Sequence, residues 1–190
     1  MIGALPTSID VNGNRYAIRT DFRDCLRIFE VFADEDLDIQ QKVYVSMVIF
    51  YKDFNRIPEF DYENAYKQMI WFLDGGDFAE DDNGFTSKPV MDWKQDERLY
   101  FPAINKVAGR EVRELKYLHF WTFLGYYMEI GDGTFATVVA IRNKKNKRMK
   151  LEKHEEEFYR RNKAMIDLKR KYTDVEQRSM AAIDKLLGRG

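Results

Sequence analysis

Apolar residues recur at three- and four-residue steps along most of this chain, which is the spacing of amphipathic α-helices. The first helix is predicted over residues 21–33. The segment 37–52 mixes strand-forming residues with helical spacing, and its length favours a largely buried helix. A third helix is predicted to begin with Asp61 as its cap and to end at Gly75-Gly76, because glycine reaches the left-handed C-cap conformation without strain.

The fourth predicted helix contains a proline. It runs from near Asp92 to Ala108, with Gly109 as its stop. Pro102 should kink this helix or end it early, because proline lacks the amide proton and clashes with the preceding turn. The helix that contains Trp121 comes next.

Charge replaces apolar periodicity towards the C-terminus. A turn at Gly131–Gly133 precedes a helix that Thr134 is predicted to cap. Beyond Arg142 we predict a basic and charged helical tail over residues 143–190, separate from a hairpin-plus-helical domain over residues 1–142. The tail carries an apolar seam that includes Met165, Leu168, Tyr172 and Val175. This seam can bury against the protein's own core, a second copy of the chain, or another protein.

The N-terminus departs from the helical pattern. Two short alternating segments, residues 8–11 and 15–18, flank Asn12-Gly13, the dipeptide that best tolerates the positive φ angles of a type I′ turn. A lone hairpin is marginal in water, so it should pack on a helix. The predicted class is therefore mainly α: a helical domain with a short N-terminal β-hairpin and a long charged C-terminal helical tail.

Composition narrows the class of protein. The hydrophobic fraction of 45% is enough for a core. Cys25 is the single cysteine, which excludes an internal disulfide and a thiolate zinc site. No apolar run approaches the ~20 residues that a bilayer needs, and the start lacks the pattern of a signal peptide. We therefore expect a soluble, intracellular protein with no membrane partner.

Candidate catalytic and metal-binding residues are sparse. His119 lies in an aromatic block and is predicted to be a packed histidine, whereas His154 lies among charged residues. The acidic run Asp77–Gly84 lacks the alternating oxygen ligands and closing glutamate of an EF-hand loop. Gly131–Thr134 lacks the lysine of a phosphate loop. We expect no enzymatic activity, no bound metal and no cofactor.

The stretch Leu118–Met128 has the highest density of large rings. Burying one large apolar side chain is worth roughly 1.5–3 kcal/mol, so these rings must lie in a core or against a partner. The candidate contact residues in this block are Phe120, Trp121, Phe123 and Tyr127.

Six cations lie between residues 142 and 150 without an intervening acid: Arg142, Lys144, Lys145, Lys147, Arg148 and Lys150. Clustered lysine and arginine can neutralise nucleic-acid phosphates. However, acidic residues follow directly at Glu152 and Glu155–Glu157, and no recognisable nucleic-acid fold surrounds the run. A solvated helix face is favoured, with nucleic-acid or acidic-partner contact as the alternative.

Four motifs together resemble a phage family called gene product fifteen, found in siphophages of Gram-positive hosts. Trp71–Gly76 looks like its helix ending in a double glycine, and Met91–Asp96 like its aspartate-aromatic-x-x-aspartate helix start. Leu118–Phe123 is similar to its leucine-histidine-tryptophan-tryptophan-x-phenylalanine block, with Phe120 in place of a tryptophan. Thr134–Arg142 is similar to its closing isoleucine-arginine segment.

The resemblance implies a role in tail building. Members sit in the tail gene cluster between the major tail protein and the tape measure protein, where tail assembly chaperones are expected. It therefore implies a chaperone that binds the tape measure protein non-covalently in the host cytoplasm and is absent from the mature virion. Other tail proteins and a second copy of the chain are further candidate partners. A structural virion protein, either a tail or a head-completion protein, is the alternative, and a nucleic-acid-binding factor using residues 142–150 is a weaker one.

Overall fold

A computed structural model describes residues 3–76 and 88–169. Two strands open the chain, β1 (Ser8–Val11) and β2 (Asn14–Ala17). The α-helices that follow are α1 (Phe22–Phe32), α2 (Ile39–Phe50), α3 (Tyr62–Leu73), α4 (Glu97–Ala108), α5 (Phe120–Met128), α6 (Thr134–Asn146), α7 (Lys153–Arg161) and α8 (Lys163–Ile166). Short 3₁₀ turns lie at Phe54–Arg56, Glu59–Asp61 and Val112–Glu114. The predicted mainly α class with an N-terminal hairpin is confirmed.

The hairpin forms at the predicted turn. β1 and β2 are antiparallel, with Ile9 opposite Tyr16. Asn12 and Gly13 have φ angles of 51° and 85°, as a type I′ turn requires. Ile9 and Val11 are buried, and β1 contacts α3, so the hairpin packs on a helix as predicted.

The second helix is shorter and more exposed than predicted. α2 begins after Asp38, whose side chain and that of Gln41 form a reciprocal capping box. One face packs against α1, but Ile39 is 71% exposed and Tyr44 is 52% exposed. The prediction of a helix was right and that of a largely buried helix was wrong. The contacts of α2 with α1 and α3 bury Ser46, Met47 and Phe50 but leave Ile39 and Tyr44 exposed.

The third helix starts and ends at the predicted residues. Asp61 occupies the N-cap position of α3, but its side chain makes no capping hydrogen bond and instead accepts one from the Asn12 side chain. The Asp61 side chain therefore joins the hairpin turn to the helix. Gly75 and Gly76 have φ angles of 78° and 99°, which confirms the glycine stop.

The fourth helix starts later than predicted and continues through its proline. Residues 92–96 form a turn in which the Asp92 carboxylate accepts backbone amides, so α4 begins only at Glu97. Pro102 lies inside α4, which runs on to Ala108. Of the two predicted outcomes, a kink or an early end, the early end was wrong, because burial of neighbouring apolar side chains outweighs the loss of one backbone hydrogen bond.

The C-terminal part folds back onto the domain. α6 starts at Thr134 with Gly133 as its N-cap, so Thr134 is not the cap. The predicted domain boundary after Arg142 lies within α6, which continues to Asn146 before the chain turns at Arg148, where φ is 55°. α7 and α8 are short, and a single long helix does not form over residues 143–169.

Two apolar clusters hold these elements together. The larger one joins the hairpin to α1–α5, and within it the Phe22 and Phe123 rings stack with centroids 4.6 Å apart. The smaller one consists of Val138 and Ile141 from α6 and Ile166 from α8. This second cluster attaches residues 151–169 to the helical domain.

Candidate functional site

The double-glycine motif and the aromatic motif meet where α3 ends. The Trp121 Nε1 group donates a hydrogen bond to the Phe72 carbonyl oxygen at 2.8 Å. Gly76 has a φ of 99°, and a Cβ atom there would lie 3.0 Å from the Trp121 ring. Glycine is needed both for the backbone conformation and for this close approach. These two motifs therefore fix α5 against the end of α3.

The other two motifs meet in a buried ion pair between Arg142 and Asp96. The two side chains are 4% and 1% exposed, and their closest nitrogen and oxygen atoms are 2.6 Å apart. The remaining guanidinium N–H groups donate to the carbonyl oxygens of Val90, Met165 and Ile166. Every donor of Arg142 is thus satisfied, and its side chain joins residues 88–96, α6 and α8.

His119 is a structural residue, as the sequence predicts. It is 4% exposed and caps α5, because its Nδ1 atom accepts the Trp121 backbone N–H at 3.1 Å. With Nδ1 as an acceptor, Nε2 carries the proton and donates to the Pro6 carbonyl oxygen at 3.0 Å. Both ring nitrogens are occupied in holding the N-terminal segment against α5.

A groove of about 1150 Å³ lies next to the buried ion pair. Its lining comes from the end of α1, from α2, from residues 88–94, from α6 and from residues 166–169. Half-buried apolar side chains make up its floor: Phe29, Phe32, Ile49, Met91, Trp93 and Leu168. The Trp93 ring stacks on Phe29 with centroids 5.3 Å apart, which holds the floor in place.

Sequence reasoning did not identify this groove. Its lining residues come from five separate segments, and no local pattern links them. The one available signal was that Met91–Lys94 belongs to a motif of the family resemblance, and these four residues all line the groove.

Comparison with protein-family models decides the family. Residues 1–168 match the model described as bacteriophage Gp15 protein. The chain belongs to the bacteriophage Gp15 protein family. Comparisons with curated proteins and with solved structures gave no match.

In this Gp15 family member the predicted aromatic contact residues lie mostly in the core. Phe120 and Phe123 are 1% and 0% exposed, so this conformation offers neither ring to a partner. Trp121 and Tyr127 are half-buried. The Tyr127 ring packs against Trp93, and burial raises the pKa of its hydroxyl. The block thus contacts the groove floor, through Phe120 on Phe29 and Tyr127 on Trp93.

The six-cation run of the Gp15 chain is not a continuous patch. Arg142 is buried, and Lys144 pairs with the Glu155 carboxylate at 2.7 Å. Lys145 contacts the Asp167 carboxylate and lies over a tyrosine ring. The predicted solvated helix face is therefore wrong for Arg142, which is buried. Lys144 and Lys145 keep part of their surface exposed, but they pair with acids that the local sequence did not reveal. Among residues 3–76 and 88–169 no carboxylate pairs with the other three, Lys147, Arg148 and Lys150.

The contact between α6 and α7 has an electrostatic consequence. The hydrogen bond from the Lys144 ammonium lowers the pKa of Glu155 below its usual range, and the backbone N–H of Glu152 adds to this effect. The carboxylate of Glu155 is thus held in its charged form at the start of α7, where the helix dipole also favours it.

The apolar seam predicted for the tail is divided. Met165 packs on the second cluster, and Leu168 lines the groove. Tyr172 and Val175 lie outside the described residues. Leu168 is therefore the seam residue that reaches a candidate binding surface in the described part of the chain.

A second exposed apolar surface lies on α2 and after it. Ile39, Tyr44 and Val48 project from the side of α2 away from the core, and Val48 is 40% exposed. Phe60, in a 3₁₀ turn, is 84% exposed. Tyr44 and Val48 lie four residues apart and so share a face of α2, whereas the groove side chains line one concavity.

Metal-binding clusters and membrane-spanning helices were sought within residues 3–76 and 88–169. There, no group of three or more histidine, cysteine, aspartate or glutamate side chains is arranged to hold a metal ion. Over the same residues no helix is long and apolar enough to cross a membrane.

Proposed function

We propose that this Gp15 family protein is a tail assembly chaperone that holds the tape measure protein non-covalently by binding its helices. The observation that carries the proposal is the groove beside the Arg142–Asp96 pair, with its floor of half-buried apolar side chains. An amphipathic helix laid in an apolar groove is a recurrent mode of peptide recognition.

The proposed partner has a physical need for such a chaperone. A tape measure protein is long and helical, with apolar stripes that are exposed until the tail tube covers them. Exposed apolar stripes of this kind associate with one another. A groove that buries a few apolar side chains at a time can cover them reversibly and release them as the tube polymerises.

The bound state should be weak enough to reverse. The floor side chains are already half-buried in the free protein, so binding removes only part of their surface from water. The protein would act in the host cytoplasm and be absent from the finished virion. A structural role would instead place it in the virion in stoichiometric amount.

Co-expression tests this proposal. The full chain is produced together with the tape measure protein of the same gene cluster, and the soluble fraction is purified on a tag on the chain. The expected result is a soluble, co-purifying tape measure protein, together with a chain that mass spectrometry of purified virions finds absent or in trace amount. An insoluble, unbound tape measure protein contradicts the chaperone role, and a stoichiometric chain in virions favours the structural one.

A matched pair of variants locates the contact. Leu168→Asp puts a charge in the groove, whereas Phe60→Asp puts the same charge on an exposed apolar residue outside its lining. We expect the first to abolish co-purification and the second to leave it unchanged, with both variants folded by circular dichroism. Unchanged binding by Leu168→Asp would remove the groove as the contact surface.

A further inference from the structure

One wall of the groove is acidic. It consists of the lining residues from α1, the turn after it and α2, and is called the acidic wall below. Its carboxylates are Glu30, Asp34 and Glu35, and none of them forms an ion pair with another described residue. Arg27 on this wall is paired with Asp24 at 2.9 Å, which leaves Lys42 as the opposing charge.

The other wall is basic. It consists of the lining residues from 88–94, α6 and 166–169, and is called the basic wall. Its ammonium groups without a carboxylate partner in the described structure belong to Lys88, Lys94 and Lys169. Lys145 is paired with Asp167, and the Asp92 carboxylate is occupied by the backbone amides of Lys94 and Gln95.

The floor between the walls is apolar, and the groove is larger than a typical small-ligand pocket. Pockets for drug-sized molecules measure roughly 300–1,000 Å³. The groove measures about 1150 Å³ and is lined by five segments of the chain. An apolar floor with charged residues on each side matches the cross-section of an amphipathic helix.

We propose that the groove selects an amphipathic α-helix whose apolar stripe has basic residues along one flank and acidic residues along the other. The basic flank faces the acidic wall, and the acidic flank faces the basic wall. This inference deepens the proposed function, and the identity of the natural ligand as a tape measure helix rests on it. Turning a helix end for end exchanges its flanks, so the two walls also set the direction in which the helix lies.

Two designed peptides test the selection. They share one composition and one apolar stripe. In the first peptide lysines line one flank and glutamates the other, whereas in the second each flank carries lysines and glutamates in equal number. Binding to the full chain is measured by fluorescence anisotropy at low salt. We expect a preference of roughly ten-fold for the peptide with segregated flanks, and this preference should fall as salt screens the rim charges. Equal affinity for both peptides, or no binding of either, overturns the inference.

Mixing the charges on the two walls should remove the preference. The variant Glu35→Lys/Lys88→Glu reverses one charge on each wall and leaves the net charge unchanged. We expect it to bind the two peptides with about equal affinity. A matched control, Lys147→Glu/Glu129→Lys, reverses one exposed charge of each sign outside the groove lining and should keep the original preference. An unaltered preference in Glu35→Lys/Lys88→Glu contradicts the assignment of the walls.

The same binding assay distinguishes this helix from other occupants of the groove, and the groove's selectivity from the chaperone role. If only a chain lacking residues 170–190 binds the peptides, the natural occupant is the chain's own C-terminus, and the inference is overturned. If the peptides compete with self-association of the chain in sedimentation, the occupant is a second copy, and the inference is overturned as well. A clear peptide preference with no tape measure binding would keep the groove selection and remove the chaperone role.

Discussion

Replacing Arg142 with methionine should destabilise the protein far more than replacing any exposed cation of the same run. Methionine fills part of the volume but supplies no donor. The substitution leaves the Asp96 carboxylate, 1% exposed, without its counter-charge, and the carbonyl oxygens of Val90, Met165 and Ile166 without their donors. The change therefore acts on three segments of the chain at once.

The magnitude follows from the burial of the pair. Removing one partner of a buried ion pair costs about 3–5 kcal/mol, because an uncompensated charge stays in the interior. Each carbonyl oxygen left without a donor adds to this cost by about 1–3 kcal/mol. We therefore expect a total loss of at least about 3 kcal/mol, a large part of a typical stability of about 5–15 kcal/mol.

Urea unfolding followed by circular dichroism measures this loss, read from the midpoint at an unchanged slope. Lys147→Met is the matched control, since Lys147 is exposed in the same run, and its effect should stay within about 0.5 kcal/mol. The double variant Arg142→Met/Asp96→Leu should be more stable than Arg142→Met alone, because it leaves no buried charge. A loss below about 1 kcal/mol for Arg142→Met would refute the buried-pair account.

Three further predictions concern other structural contacts. Gly76→Ala should cost about 1–3 kcal/mol in thermal unfolding, because φ is positive and the new Cβ meets Trp121, whereas Gly131→Ala, in open space, should cost far less. His119→Ala should cost about 0.5–2 kcal/mol for its lost cap, and partial recovery by an asparagine at this position would support that cause. The lowered pKa of Glu155 contributes stability above the unfolded carboxyl pKa of about 4.3 that is lost on acidification. Urea unfolding of Lys144→Gln should therefore depend less on pH in the acidic range than the wild type, and an equal pH dependence would count against the pair.

Backbone conformations that few residue types can adopt were predictable from the sequence. Asn12-Gly13 predicts a turn that only positive φ angles can make, and Gly76 predicts a helix stop for the same reason. These signals depend on a few adjacent residues and on nothing elsewhere in the chain. The class of the fold and the bounds of α1 followed from them and from apolar spacing.

Contacts between distant residues were not readable. Arg142 reads as one cation among six, and only the fold reveals Asp96 as its partner 46 positions away. Likewise Pro102 predicts an interrupted helix until the burial of Tyr100 and Phe101 beside it is known. The groove is the extreme case, because five segments build it and none of them is distinctive alone.

Hydrogen exchange of the full chain with and without its tape measure protein tests the central claim most directly. Residues 88–94 form an irregular segment along the groove, so their amides should exchange readily in the free chain. The account predicts new protection on binding at residues 30–35, 88–94 and 166–169, with no change on the exposed side of α2. Protection confined to residues 39–48, or none anywhere in a bound complex, would contradict the groove as the binding site.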